Sequence, residues 1–111
     1  MVKYQAGQLD RTFAALVDST RRAILARLAQ EPGLSVSALA KPLPVKLPAV
    51  MKHLDVLTEA GLISRSKSGR TVSVRLTPEP MAEAMEWLRR YERFWSGNLD
   101  RLAAFLEENP E

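Results

Sequence analysis

Val50-Met51-Lys52-His53-Leu54-Asp55-Val56-Leu57-Thr58-Glu59-Ala60-Gly61-Leu62-Ile63, followed by Arg65-Ser66-Lys67-Ser68-Gly69-Arg70, reads as an amphipathic helix that stops at a glycine and runs into a cationic hairpin. At 100° per residue Val50, Leu54 and Leu57 share one face, which must turn inward. Pro48, Lys52, Asp55 and Glu59 fall opposite, with Ala49, Met51, His53 and Val56 on the flanks. The helix should start near Leu47, because Pro48 is tolerated in a first turn whose N–H groups lack partners, and end at Gly61 as its C-terminal cap. Leu62 and Ile63 then open a strand, Ser68-Gly69 supplies a turn, and Val72, Val74 and Leu76 alternate with Thr71, Ser73 and Arg75 in a half-buried return strand. The tip carries Arg65, Lys67 and Arg70 among serines. Such a ribbon is marginal alone and must pack on helices.

Upstream, the pattern predicts short helices. Leu9, Phe13 and Leu16 recur at helical spacing; Asp18-Ser19 offers a cap for a second helix with Ile24, Leu25 and Leu28 on its apolar face. Pro32-Gly33 ends that helix. Ser35 can cap a third, with Val36, Leu39 and Ala40 inward, before Pro42 and Pro44 terminate it. Arg21 and Arg22 open the second helix, where cations oppose the dipole, so one is expected to pair with Asp18 and the other to reach a phosphate.

Downstream, Thr77-Pro78-Glu79 is a strong helix start, with Thr77 as cap and Glu79 near the positive end of the dipole. The helix can run to about Glu108. Met81, Met85, Leu88, Trp95, Leu99, Leu102 and Leu106 follow a 4-3 spacing broken by Glu92, and Ala84, Trp87, Tyr91 and Phe94 add a second stripe. So broad an apolar face on a helix of ~45 Å exceeds what a small domain can cover, which implies pairing with a second copy, together with the first helix. Gly97 costs about 1 kcal/mol inside a helix and is a candidate bend.

The 111 residues, 46% of them apolar, suit one compact domain. There is no cysteine, which excludes disulfides, thiolate metal sites and cysteine nucleophiles. No apolar run approaches the ~20 residues that span a bilayer, and residues 1–8 lack a signal-peptide core, so a soluble, unprocessed cytoplasmic protein is expected, with no membrane partner. The net charge of +3 is unevenly spread. Residues 1–78 carry 12 Lys/Arg against 5 Asp/Glu, whereas residues 79–111 carry 4 against 8. The basic part is the footprint of a polyanion-binding face.

These features suit double-stranded DNA, with the helix in the major groove and the hairpin on the flanking backbone. Lys46, Leu47, Pro48, Ala49, Lys52 and His53 would lie at or near base edges, and Arg65, Lys67 and Arg70 would grip phosphate or the minor groove. For His53, the single histidine, a hydrogen bond to a neighbouring helix stays open beside a DNA contact. Catalysis has little support: one histidine, no cysteine and no Gly-rich phosphate loop leave nothing from which to assemble a nucleophile and base, and His53 and Asp55 point to different sides of their helix. The remaining rival is a module of the same shape that binds another protein.

The order and wording of four blocks resemble a known family. Leu16-Val17-Asp18-Ser19-Thr20-Arg21-Arg22-Ala23-Ile24-Leu25, Ser35-Val36-Ser37-Ala38-Leu39-Ala40, Leu47 to Leu54 with Leu57 and Ala60-Gly61-Leu62, and Gly69-Arg70 look like the ArsR/SmtB winged helix-turn-helix repressors. Trp87-Leu88 to Phe94-Trp95 and Leu99-Asp100-Arg101-Leu102 are similar to its metal-independent branch. The resemblance implies a dimeric transcriptional regulator, usually a repressor, reading a short inverted repeat. The family's metal sensors use a Cys-x-Cys pair before the reading helix or His, Asp and Glu on the last helix. Here the first site reads Ser37-Ala38-Leu39-Ala40 and the last helix has no histidine, so neither metal site can be built and no cofactor is expected. The usual serine cap of the reading helix is Lys46, and a commonly aromatic strand position is Val74.

The expected architecture is therefore mainly α with a small β-hairpin, a winged helix-turn-helix with a long C-terminal dimerisation helix. Residues 1–8 are expected to be flexible, 9–17 and 78–108 to form dimerisation helices, 35–60 the helix-turn-helix and 62–76 the wing. Leu9, Phe13, Leu16, Met81, Met85, Leu88, Trp95, Leu99 and Leu102 are the expected dimer contacts. Relief of DNA binding is left open between a small-molecule effector seated between the long helices, oxidation of Met81 or Met85, and a change in protein level.

Overall fold

The computed structural model describes residues 2–109, with side chains from Gly7 onward. The elements run α1 (Val2–Leu16), α2 (Ser19–Gln30), β1 (Leu34–Ser35), α3 (Val36–Ala40), α4 (Leu47–Glu59), β2 (Ile63–Ser68), β3 (Thr71–Leu76) and α5 (Pro78–Glu108). The architecture is mostly helical, with α3 and α4 as the helix-turn-helix and β2–β3 as the wing.

The inner faces converge on one core. Ile24, Leu25 and Leu28 of α2, Leu39 of α3, and Val50, Leu54 and Leu57 of α4 meet Leu62, Ile63 and Val74 from the wing base, all of them buried. Each such side chain contributes roughly 1.5–3 kcal/mol through removal from water. Leu43 and Val45, in the turn between α3 and α4, pack against the same cluster. The turn is thereby held in place, and with it the angle at which α4 leaves the domain.

Local chemistry explains most boundaries. Asp18 caps α2 by accepting from the Arg21 amide at 3.1 Å, and Ser35 caps α3 by accepting from the Ala38 amide at 3.1 Å. The end of α4 is a Schellman turn: the Gly61 amide donates to the Thr58 carbonyl at 2.9 Å and the Leu62 amide to the Leu57 carbonyl at 3.0 Å. This requires the left-handed conformation that Gly61 adopts at φ +76. In the hairpin Ser68 pairs with Thr71, so the two turn residues are Gly69 and Arg70, one position later than the sequence suggested. Gly69, at φ +62, fits the first position of a type II′ turn.

Three features differ from expectation. The hairpin is completed to a three-stranded antiparallel sheet of order β1-β3-β2, in which Leu34 pairs with Val74 and Ser35 with Ser73. Thr77 stands at the N-cap of α5, yet its hydroxyl makes no capping bond; its amide donates instead to the Leu62 carbonyl at 2.9 Å, tying the start of α5 to the wing base. α1 begins at Val2, upstream of the periodic residues. It docks through Gln8, whose side-chain amide donates to the Ala60 carbonyl at 3.0 Å, while buried Thr12 bonds within α1, its hydroxyl donating to the Gln8 carbonyl. The flexibility expected over 1–8 concerns in part Met1 and side chains that lie outside the described residues. No described helix is long and apolar enough to cross a membrane.

Because α4 is seated by three fully buried residues, Leu54→Ala should cost about 2–5 kcal/mol, read from the midpoint of urea unfolding. A loss below about 1 kcal/mol would mean that α4 is not anchored as described.

Candidate nucleic-acid interface

With Val50, Leu54 and Leu57 turned into the core, the opposite face of α4 is left to solvent. Lys46, Leu47, Pro48 and Lys52 are exposed there, and Ala49 is half-buried beside them. Lys46 is the N-cap residue, its carbonyl accepting from the Ala49 and Val50 amides, but no side chain caps the helix. Among the described residues no side-chain oxygen accepts from the first amides of α4, at the positive end of its dipole.

His53 is placed differently from the lysines. Its side chain is 19% exposed, and its Nδ1 lies 3.2 Å from Arg21 Nη1 and 3.9 Å from Asp18 Oδ1. Arginine is a donor only, so in the neutral ring Nδ1 accepts and the proton resides on Nε2. The hydrogen bond to a neighbouring helix, one of the two roles open to His53, is formed here.

Arg21 and Arg22 both bond to the end of α1. Arg21 Nε donates to the Ala15 carbonyl at 2.7 Å and its Nη2 to the Ala14 carbonyl at 3.2 Å, while Arg22 Nη1 donates to the carbonyls of Leu16 and Val17 at 2.7 and 2.8 Å. Both cations thus close the C-terminal end of α1, where the dipole favours them. From sequence one of them is expected to pair with Asp18 and the other to reach a phosphate; the α1–α2 turn brings these carbonyls to both guanidinium groups.

On the wing, Lys67 and Arg70 are exposed. Arg65 is engaged: its Nη2 donates to Asp55 Oδ1 of α4 at 2.9 Å. This surface ion pair is worth at most about 1 kcal/mol, but it joins the wing to the outer face of the reading helix and screens the carboxylate nearest the lysines. Asp55 and Arg21 are two residues of this region that sequence reasoning left without their present roles. Neither has a local signal, since Arg21 and His53 are 32 positions apart and Asp55 and Arg65 sit on different elements.

The expected dimer contacts divide into two groups. Leu16 and Met81 pack against the core of their own chain, and the Phe13 ring meets Trp87 edge-on at 5.7 Å. Met85, Leu88, Trp95, Leu99 and Leu102 are each about half exposed or more, as are Tyr91, Phe94, Phe105 and Leu106. Among the described residues no group of three or more His, Asp or Glu side chains is gathered as a metal ion would need.

Asp18 gives this region a pH signature. Its carboxyl is held below the ordinary aspartate range, first by the Arg21 amide it accepts from, against some desolvation, with help from the charges of His53 and Arg21. A lowered folded-state pKa means that the stabilisation is complete above the unfolded value of about 4 and is lost as pH falls through the folded value. Asp18→Asn retains a cap but cannot titrate, so the thermal-stability advantage of the native chain over this variant should shrink between about pH 6 and pH 2. An advantage that stays constant over that range would dissociate Asp18 from the acid side of the stability profile.

Comparison with known proteins agrees with this geometry. A family model described as a helix-turn-helix domain matches residues 16–65. The chain is 41% identical over 98 residues to the HTH-type transcriptional regulator Rv2034 of Mycobacterium tuberculosis, covering 88% of each chain. A solved ArsR-like transcriptional regulator from Rhodococcus sp. RHA1 superposes with a TM-score of 0.73 at 33% identity, covering 97% of both chains. The homodimeric winged helix-turn-helix DNA-binding domain of a possible ArsR-family regulator from Mycobacterium bovis gives 0.63 at 25% identity, over 80% of this chain and 83% of that one. A reading helix anchored in the core, a basic wing tied to it and relatives matched over nearly their whole length lead to one conclusion: this chain belongs to the ArsR family of winged helix-turn-helix transcriptional regulators.

Proposed function

We propose that the chain is a cytoplasmic, homodimeric repressor that binds an inverted-repeat operator without a metal signal. The observation that carries the reading is the exposed first half of α4, where Lys46, Leu47, Pro48 and Lys52 face solvent while the opposite face is locked in the core. An uncapped helix start at Lys46 favours a phosphate oxygen, and Lys52, six residues on, would meet a base edge. Lys67 and Arg70 extend the cationic surface to the wing tip, where backbone contacts fix register without reading sequence. Half-buried Ala49 and His53 join this set, His53 chiefly by holding α4 to α2. Dimerisation rests on the exposed apolar stripe of α5, with Leu9 and the α1 face beside it, and on the homodimeric relative. Two reading helices about 34 Å apart would then enter successive major grooves.

The test is a fluorescence-anisotropy titration against the DNA upstream of the protein's own gene, with scrambled duplex as competitor at two salt concentrations. Tight, competitor-resistant and salt-sensitive binding is expected, each phosphate contact adding about −0.9 to the log–log salt slope. Equal affinity for both duplexes, with no slope, would favour a protein-binding module instead. Lys52→Ala should weaken operator binding by ~1–3 kcal/mol, and unchanged affinity would remove Lys52 from the site. Replacing Leu88 and Trp95 together by glutamine should convert the dimer to monomer or aggregate on sizing; an intact dimer would show that the long helix is not its seam.

A further inference from the structure

A groove of about 610 Å³ separates α2 from the start of α5, lined by Ala26 and Ala29, by Leu76 at the end of the wing, and by Met81 and Met85, with Arg22 at its charged edge. We propose that it is the seat of the last turns of the other protomer's α5, with Phe105 and Leu106 of the partner subunit filling it. The inference rests on the homodimer reading above and goes beyond it by assigning a second contact surface, on α2.

Three observations support this occupant. The groove is continuous with the exposed stripe of α5, because Met85 belongs to both. That stripe runs from Met85 to Leu106, so its midpoint falls between Trp95 and Ser96. A two-fold axis through that midpoint pairs the helices antiparallel and brings the partner's Leu106 opposite Met85, about 16 Å from the axis at 1.5 Å per residue. Leu106 cannot reach the groove of its own chain, since a straight helix carries it ~30 Å beyond Met85. A parallel pair would set Met85 against Met85 and leave both grooves open.

Charge supplies the third argument. Arg22 bonds two carbonyls through Nη1, and among the described residues no carboxylate pairs with it. Glu107 and Glu108 directly follow Leu106, so the same docking delivers carboxylates to that edge. The consequence is mechanical. The groove joins α2, the wing end and α5, so each DNA-reading head is braced by the tip of the other protomer, and the spacing of the two heads depends on that contact.

The native chain has no cysteine, so Ala26→Cys combined with Leu106→Cys introduces two thiols at exposed positions of an otherwise unreactive protein. Treated as the full-length protein with a short bis-maleimide, the double variant should run mostly as a covalent dimer on a denaturing gel, while each single variant remains a single chain. Sedimentation of the same sample separates the failures. A dimer that does not cross-link overturns the groove contact and leaves the dimer standing; a monomer overturns both. Anilinonaphthalene sulfonate provides the second measurement. The native dimer should leave the dye dark, and Phe105→Asp with Leu106→Asp should raise its fluorescence several-fold by emptying the groove. A native dimer as bright as that variant would mean that the groove is open to a small apolar ligand, and the proposal would fall.

Discussion

Burial of Val50, Leu54 and Leu57 is the constraint on which the rest of the molecule depends. An isolated 13-residue helix is marginal in water, so α4 exists as a helix because its inner face is taken up by α2, α3 and the wing base. The same packing fixes its rotation. Lys52 points outward because Leu54 cannot leave the core without exposing an apolar side chain and opening a cavity behind it. Base readout needs side chains held to within fractions of an ångström, and a close-packed interior supplies that rigidity to the outer face.

Around this core, long polar side chains act on backbone ends. Gln8 holds the Ala60 carbonyl, Arg21 and Arg22 close the end of α1, and Arg27 Nη1 donates to the Ala38 carbonyl at 2.8 Å. Helix ends carry carbonyls without internal partners, and each of these contacts satisfies one of them with a donor from a neighbouring helix. The charges that an electrostatic reading assigns to DNA therefore fall into two populations. Those near the α1–α2 turn and α3 bond to backbone carbonyls and Arg65 of the wing pairs with Asp55, whereas Lys46, Lys52, Lys67 and Arg70 are exposed and make no ion pair among the described residues.

The long helix is the incomplete part. Its first turns are integrated, with Ala84 buried and Met81 on the core, whereas from Met85 onward it presents apolar residues to solvent. A chain of this size has no surface of its own to cover them, so solubility and the placement of two reading heads become one problem with one solution, a second copy.

Much of this was legible in the sequence. Helical periodicity located the buried faces of α2 and α4, alternation located the wing, and Thr77-Pro78-Glu79 marked the start of a helix that ends at Glu108 as read. These follow from nearest-neighbour geometry, because a repeat of 3.6 or 2 residues states which face is buried wherever the element lies. Other features were decided by tertiary structure alone. The two-residue β1 is too short to carry a period and forms only because β3 offers an unpaired edge. Thr77 makes no side-chain capping bond and its amide is held by the Leu62 carbonyl, His53 meets Arg21, and Arg65 pairs with Asp55. The sequence by itself determined which faces are apolar and where the elements break; which polar group meets which was decided by the fold, since hydrogen bonds act over about 3 Å between residues that only packing brings together.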